Sequence, residues 1–206
     1  MIPNELAALK PNRQQTLELV ADLSQEQLDF SPAPGRWSVG EVLDHLILTE
    51  AINRADVEEL IARAEAGEST VLRRTFADLD VSIAPIPKRL LPLFEIPFSL
   101  MSAVTPKSVT ERLAAARWIP FKNPEAATPR PGRPGEELRR ELEASCDALV
   151  QLIEAHPDLD YAKLIIRHPL LGTNSVVDLL RFVVNHERRH REQIKDVMNH
   201  TRFPCG

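Results

Sequence analysis

The sequence predicts an all-α protein, a four-helix bundle with a proline-rich, partly helical insertion between its second and third long helices. Three observations predict it. Apolar residues recur at helical spacing over four long stretches. No run alternates apolar and polar residues convincingly at period two, so no sheet is expected. Ten of the seventeen prolines fall between Pro85 and Pro134, which leaves the flanking regions almost free of this helix breaker. A chain of 206 residues is then expected to be one domain, with an irregular insertion at about residues 70–134.

The elements follow in order. Leu6 to Leu23 reads as one amphipathic helix interrupted near Pro11. Ser24-Gln25-Glu26-Gln27 has the spacing of a capping box and opens a short helix, followed by a turn at Ser31-Pro32-Ala33-Pro34-Gly35. Ser38-Val39-Gly40-Glu41 is a second capping box, and apolar residues at 39, 42, 43, 46, 57, 60, 61 and 64 carry a long helix from it to Gly67. Inside the insertion, Ser108 to Glu111 repeats the S-x-x-E spacing and predicts a short helix through Trp118. Gly135 to Ala155 is the third long helix, and Thr173 or Asn174 is expected to cap a fourth that runs to about Asn199.

Composition narrows the function. With 43% hydrophobic and 27% charged residues and a net charge of -5, the chain reads as an ordinary soluble protein. Its arginine pairs, Arg139-Arg140 and Arg188-Arg189, are interleaved with glutamates on helices, so no nucleic-acid partner is expected. The start, MIPNELAALKPNRQQ, lacks the basic and apolar regions of a signal peptide, which suggests a cytoplasmic protein. The most apolar stretch, Val81 to Val104, is broken by prolines and charges and does not predict a membrane span. Cys146 and Cys205 are too few for a disulfide framework, and Cys146 reads as a small core residue rather than a nucleophile.

The chemistry concentrates in the histidines. His186-Glu187-Arg188-Arg189-His190 matches the H-E-x-x-H of zinc proteases, and the two imidazoles lie one turn apart on the same face as Leu179, Val183, Ile194 and Val197. Buried neutral imidazoles need partners, and one shared metal ion satisfies both. A protease needs more: Gln193 and Asp196 stand where a metzincin has its glycine and third ligand, and only sixteen residues follow His190. Glu187 is then a flank residue, a polar group near the metal or a surface ion-pair partner. His45, in Trp37-Ser38-Val39-Gly40-Glu41-Val42-Leu43-Asp44-His45, lies beside the apolar stripe of its helix in one row with Val42, Thr49 and Ile52. That placement lets it face a neighbouring helix. His156, His168 and His200 read as surface or capping residues.

Together, GRWSVGEVLDHLILTE and HPLLGTNSVVDLLRFVVNHERRHREQI resemble the DinB-like superfamily of bacterial metal-binding helical bundles. The resemblance implies that the histidine of W-S-x-x-E-x-x-x-H and the H-x-x-x-H pair of the last helix are metal ligands, here His45, His186 and His190. It implies a four-helix bundle, often a homodimer, with zinc, nickel or iron. Some members look like transferases or isomerases that use a low-molecular-weight thiol, so the resemblance also implies such an activity on a small molecule, with that thiol as cosubstrate. The long insertion departs from a compact family member. Three other readings stand beside this one: a non-enzymatic metal-binding or stress-response module, a metal-dependent hydrolase, and a metal-free bundle with buried histidines.

Overall fold

The computed structural model describes residues 3–75, 127–168 and 172–205. Helices dominate, and the chain divides into two compact units. The first comprises Met1–Ala55, Pro129–Leu159 and Asp178–Gly206, and the second Asp56–Thr128 and Asp160–Val177.

The first unit opens with a 3-10 turn, Asn4–Ala8, which passes directly into α1, Leu9–Leu19. The interruption expected near Pro11 is this change of helix type. Pro11 itself falls in the first turn of α1, where its missing N–H would have had no intrahelical acceptor. The helix α2, Gln25–Asp29, has the expected capping box: Ser24 Oγ accepts from the Gln27 amide, and Gln27 Oε1 accepts from the Ser24 amide. The box at Ser38 and Glu41 closes in the same way, at 3.2 and 2.9 Å, and starts α3, Val39–Glu65. After the proline-rich segment, α4 spans Gly135–Glu154 and packs against α1. Most of α5, Val176–Met198, also belongs to this unit.

These helices fill one core in which Val20, Leu28, Val39, Val42, Leu43, Leu46, Leu138, Leu142, Ile194 and Val197 are buried. At its edge Phe30 meets Phe203 edge-on, with 5.6 Å between ring centroids. The apolar core is bolted by a buried polar cluster. Arg13 on α1 donates to Glu50 on α3 and Glu187 on α5, each at 2.8 Å, and to the Leu142 carbonyl and Ser145 Oγ of α4. Asn12 donates to the other oxygen of Glu187, and Arg191 reaches back to the Asn12 carbonyl and side chain and to Thr16. Burial by itself would push the Arg13 guanidinium down, but the two carboxylates beside it outweigh this and hold it firmly protonated.

The second unit corrects the expectation of an all-α chain. It holds a three-stranded sheet in the order β1-β2-β3, built from β1, Val71–Arg73, β2, Ile165–His168, and β3, Gly172–Ser175. The β1 and β2 strands run parallel, with Leu72 opposite Ile166, and β2 and β3 run antiparallel, with Ile166 opposite Asn174. Strands of three or four residues complete barely one alternation, too little for period two to emerge. Thr173 and Asn174 do not cap the last helix: they pair with Arg167 and Ile166 in the sheet, and α5 starts at Val176. Gly67 ends α3 with φ 69, its amide bonded to the Ala64 carbonyl and the next amide, of Glu68, to the Arg63 carbonyl, a Schellman closure. The helix expected at Ser108 to Trp118 and the apolar stretch Val81 to Val104 lie outside the described residues. Among the described residues no helix is long and apolar enough to cross a membrane.

Candidate metal centre

The first unit brings His45, His186 and His190 together. One nitrogen from each lies within 4.8 Å of the other two, and this is the one group of three or more potential metal-ligating side chains among the described residues. Each letter of the W-S-x-x-E-x-x-x-H segment has a structural task here. Ser38 and Glu41 close the capping box that starts α3, which sets the position of His45, its seventh residue. Trp37, just before that cap, lays its ring 4.8 Å from His45 and 6.2 Å from His190, centroid to centroid, and so walls one side of the cluster. His45 is 5% exposed, and the Thr49 hydroxyl donates to its carbonyl at 2.8 Å. The neighbouring Asp44 is fully buried and takes bonds from the Arg130 amide and from the Arg130 and Arg133 guanidinium groups, tying the approach to α4 against α3. Burial would raise the Asp44 carboxyl, but these bonds prevail and lower it.

On α5, His186 and His190 stand one turn apart with their Nε2 atoms 3.1 Å from each other. Phe182 stacks on His186 at 5.3 Å. The Nδ1 of His190 faces Gln193 Oε1 at 2.9 Å. A carboxamide oxygen only accepts, so His190 carries its proton on Nδ1 and turns the lone pair of Nε2 toward His186. Gln193, which disqualified the metzincin pattern, thus orients one of the ligand candidates. Burial, reinforced by the neighbouring imidazoles, pushes His186 down to about 2, and burial, reinforced by His45, pushes His190 down to about 3. Both rings are neutral near pH 7.

This donor set fits a divalent ion. With Nδ1 protonated, the Nε2 atoms of His186 and His190, 3.1 Å apart, can both turn lone pairs to one cation, and with His45 they make a three-imidazole donor set that suits zinc, nickel or iron. The remaining histidines stand apart, as expected, though not all at the surface. His156 Nδ1 bonds the Leu152 carbonyl at 2.9 Å near the end of α4, and His200 Nδ1 accepts from the Arg202 amide. His168 lies within β2, where burial and then the charge of Arg74 push it down to about 4. Cys146 is buried with its thiol pushed up to about 12 by burial, which bars it from nucleophilic work at neutral pH.

Of the roles its sequence suggested, Glu187 is an ion-pair partner, but a buried one. It is 2% exposed and bonded to Arg13 and Asn12, so it is neither a surface residue nor a peptidase base. Sequence reasoning missed its partner Arg13 and the second carboxylate on that guanidinium, Glu50. Their pairing spans up to 174 residues of chain and leaves no local signature.

Comparison with known proteins bears on the same residues. Neither a search of the curated proteins nor one of the solved structures finds a match. The family model of the DinB superfamily matches residues 8–194, which takes in all three histidines and nearly the whole chain. The chain belongs to the DinB superfamily.

Proposed function

We propose that this chain is a divalent-metal protein in which His45, His186 and His190 hold one zinc, nickel or iron ion, and that it acts as a thiol-dependent transferase on a small molecule. The observation that carries this reading is the convergence of three imidazole nitrogens within 4.8 Å, two of them held neutral by burial. Three neutral ligands would leave an ion its full charge and an open position, where it supplies Lewis acidity and lowers the pKa of a water or thiol. The chain's own residues bind and orient. Gln193 keeps the His190 proton on Nδ1, and Trp37 and Phe182 shield the imidazoles and limit the access of water. No protein thiol is needed, since Cys146 is buried and protonated.

The four-helix bundle, the homodimer and the cytoplasmic setting belong to the same proposal, the bundle resting on helical spacing and, with the homodimer, on what the family resemblance implies. The test is thiol consumption by zinc-, nickel- or iron-loaded protein, free of a histidine tag, supplied with small thiols and alkylating or epoxide electrophiles. The reading expects catalysed loss of thiol that falls to background in His45→Ala. A fully loaded protein that consumes no thiol but hydrolyses an ester or amide would make it a hydrolase. A loaded protein inert toward all of them would make it a metal-binding module.

A further inference from the structure

Among the described residues, a single buried side-chain polar atom has no hydrogen-bond partner, and it is Oε1 of Glu50. Glu50 is 3% exposed, and its other oxygen is fully engaged, taking bonds from Arg13 and Ser145. An ionised carboxylate oxygen left bare in a protein interior is costly, so the atom should have a partner. Glu50 lines a cavity of about 10 Å³, enough for about one water, together with Thr49, Asn53, Arg13, Glu187 and His186. Glu50, which carries the bare acceptor, and one of the three histidines of the cluster therefore border the same small space.

His186 needs an acceptor of its own. For the two Nε2 atoms of α5 to serve one ion, both must offer lone pairs. In His190 this is arranged, because Gln193 holds the proton on Nδ1. His186 must then carry its proton on Nδ1 as well, and a ligating imidazole almost always gives that N–H to a carboxylate, carbonyl or water. We infer that Glu50 is the positioning residue for His186: its Oε1 holds a water in the shared cavity, and that water accepts the proton of His186 Nδ1. Gln193 and Glu50 would then perform the same task for the two histidines of α5, one directly and one through a water. The inference rests on the metal reading above, with His186 as a ligand.

The substitution Glu50→Gln tests it with almost no change of volume. Arg13 donates to the Oε2 position, so the carboxamide must keep its oxygen there and turn its NH₂ into the cavity. An acceptor facing His186 becomes a donor. Zinc affinity, measured by competition with a chromophoric chelator, is expected to weaken by about 10- to 100-fold. Ser145→Ala removes a bond to the engaged oxygen and one from Arg13 but leaves Oε1 untouched, and is expected to leave zinc affinity within about threefold, whereas a merely structural role for Glu50 would move both variants alike. In nitrogen-15 spectra of the zinc-loaded wild type, His186 should show a protonated Nδ1 whose resonance shifts or is lost to exchange in Glu50→Gln. If the wild type binds zinc and folded Glu50→Gln binds it equally well, the role of Glu50 is overturned and the metal site stands. If the wild type binds none, the metal reading itself fails. Should Glu50→Gln not fold, a crystal structure of the zinc-loaded wild type decides: a water bridging Glu50 Oε1 and His186 Nδ1 supports the inference, and a cavity without one overturns it.

Discussion

Replacing Arg13 with methionine keeps most of the side-chain volume and removes the charge that neutralises two buried carboxylates. Glu50 and Glu187 are 3% and 2% exposed, so neither can recover its lost partner from water. The folded variant would relieve them by protonation, which for a carboxyl of ordinary pKa costs about 3 to 4 kcal/mol at pH 7. Two such groups set a ceiling of about 7 kcal/mol. Asn12 still donates to Glu187 and Ser145 to Glu50, so we expect a loss of about 5 kcal/mol, in line with about 3 to 5 kcal/mol for a broken buried pair. For a chain of this size that lowers the Tm by roughly 10 to 20 °C. Urea unfolding followed by far-ultraviolet circular dichroism measures it. The sign with pH follows: the orphaned carboxyls are raised above their unfolded values, so the variant loses stability as pH rises and its deficit should shrink from pH 8 to pH 5. Adding Glu50→Gln and Glu187→Gln to the variant removes the charges and should restore at least half of the loss. A deficit below about 1 kcal/mol, or no recovery in the triple variant, would refute the view that this cluster bolts the four helices together.

Other outcomes follow from single contacts. His168, lowered from 6.5 to about 4, stays neutral in the fold while the unfolded chain takes up a proton, so stability falls as pH drops through 6.5 toward 4. Between pH 7 and pH 5 this amounts to about 2 kcal/mol, and the denaturant midpoint of His168→Gln should show a pH dependence shallower by that amount. Gly67→Ala should cost about 1 kcal/mol in thermal unfolding solely because of its positive φ, since a Cβ there meets nothing within 4 Å; Gly67→Asn should lose less. A thiol reagent should modify exposed Cys205 quickly in the native protein and reach Cys146 only after denaturation, and equal rates would contradict the burial of Cys146.

The convergence of the three histidines was legible in the sequence, for His186 and His190 from local spacing and for His45 through the family resemblance. The capping box before His45 and the i, i+4 spacing of His186 and His190 are properties of single helices, and each survives in the structure. The Arg13, Glu50 and Glu187 cluster was not legible, because polar residues on an amphipathic helix read as solvent-facing until the partner helices are placed. On α5 the stripe chosen from the sequence was also off-centre. Leu180, Val184, Glu187 and Arg191 form a second buried row, which makes the buried face wider than the row of histidines suggested. The sheet escaped for a different reason: Thr173 and Asn174 have capping chemistry, and only their tertiary pairing with β2 draws them into a strand.

The central claim is that His45, His186 and His190 together hold one divalent ion. Elemental analysis of the protein purified without a histidine tag, beside His186→Ala, tests it most directly. The account predicts about one equivalent of zinc, nickel or iron in the wild type and a background level in the variant. No metal in either protein after reconstitution, or equal metal in both, would contradict it.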